Sequence, residues 1–284
     1  MKTHLVHVSG GAASAVCLLR VIERYGRDSV RAVFADTLIE DPSLYRFLDD
    51  LERVAGVKIE RLSDGRSAWD VFGTEAMWTN PQTGGCLASY HLKKLPLRRY
   101  RESLGMTPET CVIHVGFDAS ETDRMARIVK ADAPWQFDFP LTWKPVLLRC
   151  DQEDYLRQRG LKPCDMYERG YSHANCGGTC VLAGLKQWAM VQQDYPERFA
   201  KAETVEAAVV KAQTERGREP YTILRKTAEG VTRNLPLSDL AALVERGEVL
   251  PDDARQTSCS CVGMLFDVQE PYQRPERLEK EAGT

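Results

Sequence analysis

Two groups of residues in this sequence could do chemistry: a glycine–serine turn near the N-terminus, and cysteines grouped on turns further along. Val8-Ser9-Gly10-Gly11-Ala12-Ala13-Ser14 stands between an apolar strand-like run and a segment with helical spacing. Adjacent glycines allow a tight turn with exposed main-chain N–H groups, and Ser9 and Ser14 add hydroxyls. The positive end of the following helix favours negative charge, so the turn reads as a phosphate cradle. It has neither the Gly-Lys-Ser/Thr ending of a Walker loop nor the spaced glycines of a dinucleotide site. Taken alone, it competes evenly with an ordinary strand-to-helix turn.

Of nine cysteines, Cys17 and Cys111 lie in apolar patterns and read as inert core. Cys176-Gly177-Gly178-Thr179-Cys180 sets two thiols around a glycine turn, Gly84-Gly85-Cys86 offers another, and Cys259-Ser260-Cys261 is a close pair near the C-terminus. Cys150 and Cys164 also sit near turns. Four converging thiolates suit either a [4Fe-4S] cluster or a structural zinc. His91 and His173 flank these cysteines, each more readily a hydrogen-bonded surface residue than a catalyst.

These groups need a scaffold. Strands are expected at Leu5–Val8, Val30–Ala35, Val57–Leu62 and Thr110–Gly116, with helices at Ala12–Tyr25, Pro42–Val54 and Ser89–Ser103 between them. That alternation predicts a doubly wound, mostly parallel α/β sheet with right-handed crossovers. The second half reads as mainly helical and cysteine-bearing: Asp151–Arg159, Val181–Gln193, a long polar helix from Pro196 to about Thr214, and Leu237–Glu245, with a short strand at Tyr221–Leu224. A soft boundary near residue 145 divides a nucleotide-binding part, residues 1–145, from a C-terminal part, residues 146–284. Lys93, Lys94, Arg98, Arg99 and Arg101 form a basic helix, ordinarily a solvated face but able to meet phosphate or a nucleic-acid backbone. The five tryptophans form no stacking array and read as packing.

At 284 residues, with 43% hydrophobic and 28% charged residues, the chain can bury a substantial core. A formal charge of -3 argues against attachment to nucleic acid by bulk positive charge. No stretch reaches the roughly 18 apolar residues of a membrane helix and no apolar leader is read at the N-terminus, so the expected location is the cytoplasm. There the grouped cysteines point to metal, cluster or redox chemistry rather than disulfides.

The glycine turn resembles the S-G-G-x-x-S signature of PP-loop ATP pyrophosphatases and phosphoadenosine-phosphosulfate (PAPS) reductases. Phe34-Ala35-Asp36-Thr37 resembles that group's second strand, whose end faces the adenosine, and Gly116 to Arg124 its G-x-x-x-x-E-x-x-R segment beside the phosphates. Cys86, followed by Lys93-Lys94-Leu95-Pro96-Leu97, is similar to the cysteine and K-x-x-P-L of cluster-bearing sulfonucleotide reductases. The run from Cys176 through Ala183-Gly184, with a terminal C-x-C, looks like phage and bacterial PAPS-reductase-like proteins. The resemblance implies a PP-loop fold of the HUP type that binds ATP or a related adenine nucleotide, with Mg²⁺. The implied nucleotide contacts are Ser9, Gly10, Gly11, Ala12, Ala13, Ser14, Asp36, Thr37, Gly116 and Asp118, and the implied catalytic residues Asp36, Lys93, Glu121 and Arg124. It also favours iron–sulfur over zinc, on Cys86, Cys176, Cys180 and Cys261, with Cys259 in reserve. Many members carry a lysine in the loop where this chain has Ala12-Ala13; Arg124, Lys93 or Mg²⁺ must then meet the phosphate charge.

Three functions follow. The first is adenylation of a substrate with pyrophosphate release, coupled to iron–sulfur-dependent sulfur transfer to a nucleic acid or small molecule, with a sulfur-donor protein as a candidate partner. The second is sulfonucleotide reduction with sulfite release; it ranks lower because the family's terminal E-C-G-[LI]-H motif is missing. The third is a non-catalytic nucleotide- or redox-sensing module. An oligomer is compatible with all three.

Overall fold

The computed structural model describes residues 2–228 and 230–249. Five parallel strands form the central sheet: β1 (Thr3–Val8), β2 (Val30–Asp36), β3 (Ile59–Ser63), β4 (Cys111–His114) and β5 (Gln136–Asp138), in the order β3-β2-β1-β4-β5. The chain winds outward from β1 to β3, then returns to β1's other edge. The crevice between β1 and β4 is therefore the topological switch point, where open α/β sheets bind ligands beyond the strands' carboxyl ends.

Helix α1 (Ala12–Tyr25) follows β1 and buries Ala15, Val16, Leu18, Leu19 and Val21. Helix α2 (Pro42–Ala55) starts on Asp41, whose carboxylate accepts from the Ser43 N–H at 2.9 Å, and ends at Gly56 in the left-handed region (φ 63°). Helix α3 (Ala68–Glu75) was not expected from the sequence. It begins on a reciprocal cap in which Ser67 and Asp70 exchange side chain and main chain (2.8 and 3.2 Å).

On the opposite face of the sheet lies α4 (Leu95–Ser103), preceded by a wider π-type turn over Ser89–Lys94. Its Tyr100 joins Leu5, Val33, Cys111 and Ile113 in a second core cluster. Arg101 does not lie on a solvated basic face. Its guanidinium is buried, paired with Asp132 at 2.7 Å and stacked over Trp135 at 4.3 Å. Helix α5 (Thr122–Ala131) leads to the edge strand β5; it buries no residue and was missed for that reason.

The second half supplies α6 (Arg149–Arg157), α7 (Leu185–Asp194), α8 (Pro196–Glu215), a hairpin of β6 (Leu224–Ala228) and β7 (Val231–Leu235), and α9 (Leu237–Glu245). Helix α8, expected to be polar, buries Phe199, Ala202, Val209 and the carboxylate of Glu206. That carboxylate accepts from the N–H groups of Ile223 (2.9 Å) and Leu237 (2.7 Å), tying the hairpin and α9 to α8. One hydrophobic cluster runs from Val6 and Leu18 through Leu156 and Met166 to Trp188, Val209 and Leu240, so residues on both sides of position 145 share a core. Among the described residues no helix is long and apolar enough to cross a membrane. Cys259 and Cys261 lie outside them.

Candidate functional site

A cleft of about 710 Å³ opens where β1, β2 and β4 end, and the turn after β1 forms its floor. Gly10 holds φ +78°, and a Cβ there would fall 2.6 Å from Leu44 of α2, so only glycine lets helix and turn close up. Gly11 caps α1 with no side-chain hydrogen bond, leaving the first-turn N–H groups open towards the cleft. The two serines brace the turn: the Ser9 N–H and hydroxyl both reach Ser14 Oγ (3.0 and 3.2 Å), and the Ser14 hydroxyl donates to the Gly11 carbonyl at 2.9 Å. Their protons are spent internally, so anion binding falls to backbone amides and the helix dipole.

Gly116, just past β4, packs directly on this turn; a Cβ there would lie 2.6 Å from the Ala13 carbonyl oxygen and 2.8 Å from the Ser14 nitrogen. Beyond it, Asp118 accepts from the Ser120 N–H (2.8 Å) and hydroxyl (2.6 Å), while Glu121 accepts from the Asp118 N–H (3.2 Å) and pairs with Arg124. The Arg124 guanidinium also lies over the Phe117 ring at 4.3 Å. All three charged side chains line the cleft, Glu121 and Arg124 paired with each other and Asp118 held by Ser120.

Of the residues expected to touch nucleotide, Ser9, Gly11, Ala12, Ala13, Ser14, Gly116 and Asp118 line the cleft, as do Lys93, Glu121 and Arg124. Gly10, Asp36 and Thr37 are set behind its wall. Asp36 is buried, its Oδ1 accepting from the Leu38 N–H and the Tyr45 hydroxyl, both at 2.8 Å; Val33 and Ala35 are the β2 residues that line the cleft. Thr37 donates to Glu40 at 2.9 Å. The far wall comes from α6 and residues 161–175, with Arg149, Arg157, Lys162, Tyr167 and His173.

Lys93 joins this cleft to the cysteines. Its ammonium lies 3.5 Å from Glu40, whose side chain is 1% exposed. Burial alone would lower the Lys93 pKa, but the Glu40 carboxylate, with the Cys176 and Cys180 sulfurs when ionised, raises it above the ordinary lysine value. Glu40 had no signal in the sequence. It also accepts the Cys176 N–H at 2.7 Å, fixing a residue held at φ 56°. Arg198 of α8 donates to the Gly177 carbonyl (2.8 Å) and to Asp41 (2.7 Å), strapping the cysteine turn to the start of α2. Gly177 and Gly178 are required there: added Cβ atoms would meet the Ile39 carbonyl at 2.7 Å and Met166 at 2.8 Å.

Cys86, Cys176 and Cys180 come within electrostatic reach of one another and of Lys93. Burial raises all three thiol pKa values, Cys180 to about 11. The donor chemistry suits a soft metal or cluster. Yet among the described residues no three His, Cys, Asp or Glu side chains are gathered as a ligand shell, so Cys86, Cys176 and Cys180 do not by themselves form a preassembled cluster or zinc site. Cys17 and Cys111 are fully buried, matching their reading as core. His173 lines the cleft with Nδ1 buried and without a hydrogen-bond partner among the described residues; burial and then Arg149 hold its pKa near 4. His91 packs edge-on against Tyr90.

A parallel sheet with an amide-lined turn at its switch point is the architecture on which open α/β proteins bind ligands. The sequence matches the phosphoadenosine phosphosulfate reductase domain over residues 3–179, more than half the chain, and the protein belongs to that family. A solved structure of phosphoadenylyl-sulfate (PAPS) reductase from Candida auris, in a phosphate complex, is similar at 15% identity and a TM-score of 0.45, over 62% of this chain and 81% of that one. No curated protein matches the sequence.

Proposed function

We propose that this protein binds ATP or a closely related adenine nucleotide with its phosphates on the Ser9–Ser14 turn and transfers the adenylyl group to a substrate. The observation that carries this reading is the uncapped N-terminus of α1, set at the β1/β4 crevice and open to a cleft that also receives Lys93 and Arg124. A substrate oxygen attacks the α-phosphorus, the bond from that phosphorus to the bridging oxygen breaks, and pyrophosphate leaves. Catalysis is positioning and charge stabilisation: amides hold the phosphates, and Lys93 and Arg124 meet the charge that develops on the leaving group. Mg²⁺ arriving with the nucleotide would shield the same charge, next to Asp118.

Sulfur chemistry is assigned to the other side of Lys93, where Cys86, Cys176 and Cys180 stand. A sulfur nucleophile replacing the adenylylated oxygen expels AMP, and the acceptor is a nucleic acid or small molecule. A [4Fe-4S] cluster or zinc there would draw the three thiols together and take a fourth donor, for which Cys261 is the candidate. The test is anaerobic purification, iron, zinc and sulfide analysis, and ATP-to-AMP and pyrophosphate assays with candidate acceptors. A protein that binds no adenine nucleotide overturns the reading.

Family membership also supports sulfonucleotide reduction, in which a thiolate attacks the sulfate sulfur. Cys164, which lines the cleft, is poorly suited to that role. It is 1% exposed, and burial raises its thiol pKa despite the hydrogen bond it shares with Ser43. Sulfite release from PAPS by the purified protein would reverse the ranking.

A further inference from the structure

Resting on the nucleotide reading, we infer that Tyr167 is a phosphate-binding residue, its hydroxyl supplying from the far wall a side-chain donor that the Ser9–Ser14 turn lacks. A Cβ built on Gly11 would lie 3.3 Å from Tyr167 Oη, and both residues line the cleft, so the hydroxyl hangs over the mouth of the turn. The turn needs such a donor. Positions 12 and 13 are alanines, and the Ser9 and Ser14 hydroxyl protons are directed to Ser14 Oγ and the Gly11 carbonyl. A phosphate seated on the α1 amides has one side towards the turn and the other towards Tyr167. A phenol donates one hydrogen bond to an anionic oxygen without adding charge.

The placement is built rather than incidental. Tyr167 follows a segment bolted to α2, the helix that also closes over Gly10. Arg46 donates to the Pro163 carbonyl (3.1 Å) and to Asp165 (3.2 Å), and the Ser43 hydroxyl accepts from the Asp165 N–H at 3.0 Å. Met166, next in the chain, is fully buried, and the Tyr167 N–H donates to the Cys164 carbonyl at 3.1 Å, closing the turn that aims the ring. A rigidly held donor loses little entropy on binding, which is what makes a single hydroxyl effective.

The test compares wild type with Tyr167→Phe by calorimetric titration with ATP, inorganic pyrophosphate and adenosine, after thermal melts establish that the variant folds. Tyr167→Phe should weaken ATP and pyrophosphate roughly tenfold, the size of one hydrogen bond to a charged group, and leave adenosine unchanged. Equal affinities of the two proteins for ATP and pyrophosphate overturn the inference and leave the nucleotide reading standing, as does an equal loss for adenosine. Wild type that binds none of the three overturns both. Tyr167→Leu, which removes the ring as well, should match Tyr167→Phe within about twofold on pyrophosphate if the hydroxyl is the operative group; a much larger loss assigns the effect to ring packing and also overturns it.

Discussion

Replacing Gly116 by alanine tests the site by steric contact alone. The new methyl would fall 2.6, 2.7 and 2.8 Å from the Ala13 oxygen, the Ala13 carbon and the Ser14 nitrogen. These atoms are backbone in the first turn of α1, and no flexible side chain end can swing away. Gly116 holds no left-handed φ, so strain of that kind does not confuse the result. Inserting one methyl into a closed contact costs about 1–3 kcal/mol, and relief requires the phosphate-binding turn itself to shift. Gly73, inside α3, is the control. A Cβ there meets nothing within 4 Å, so Gly73→Ala should stabilise by about 0.5–1 kcal/mol through helix propensity. Urea unfolding read by tryptophan fluorescence gives both stabilities, and calorimetric titration gives ATP affinity. Gly116→Ala should unfold earlier and bind ATP at least roughly tenfold more weakly, because a displacement near 1 Å breaks several amide contacts together. Gly73→Ala should bind normally. A Gly116→Ala protein with wild-type stability and wild-type affinity would refute the claim that Gly116 shapes the phosphate turn.

Other consequences can be checked with the same preparations. Glu40→Ala leaves the Lys93 ammonium, the Thr37 hydroxyl and the Cys176 N–H without their acceptor, and should lower unfolding stability by about 3 kcal/mol; alkylation of Cys176, mapped by mass spectrometry, should accelerate as its turn loosens, and an unchanged rate counts against Glu40 as its anchor. His7, His114 and His173 are held by burial near pKa 4, below the ordinary 6.5. Their stabilising contribution is therefore complete above pH 6.5 and lost as pH falls towards 4, because the unfolded chain takes up protons that the fold refuses. Between pH 7 and 5 this amounts to about 2 kcal/mol each for His7 and His173, and urea midpoints that stay level over that range would contradict it. Arg198→Ala, which cuts the strap between the Gly177 carbonyl and Asp41, should increase hydrogen exchange across residues 174–180 while leaving β1 protected; uniform protection would show that the strap is dispensable.

The inner part of the central sheet could be read from the sequence because β2 is buried over six of its seven residues and α1 over eight of its fourteen. The spacing of Val16, Leu19 and Ile22 placed α1 at Ala12–Tyr25, where the structure has it. Elements with little buried surface escaped: α5 has no fully buried residue, and β5 is a three-residue edge strand. Helix α3 carried a signal in its Ser67–Asp70 cap that apolar spacing alone does not detect. The glycine turn and the cysteines announced themselves because phosphate and metal chemistry draw on few residue types at short spacing.

What only the folded chain decides is which distant groups share a pocket. Glu40 meets Cys176 across 136 positions, Arg198 reaches Asp41 across 157, and Tyr167 faces Gly11 from a turn between α6 and the cysteine pair. Asp36, at the end of β2 and expected beside the adenosine, turns instead to Tyr45. Local pattern reports backbone propensity and burial. A carboxylate, an arginine or a phenol acquires its role from whatever the closed fold sets opposite it, and no short stretch of sequence encodes that partner.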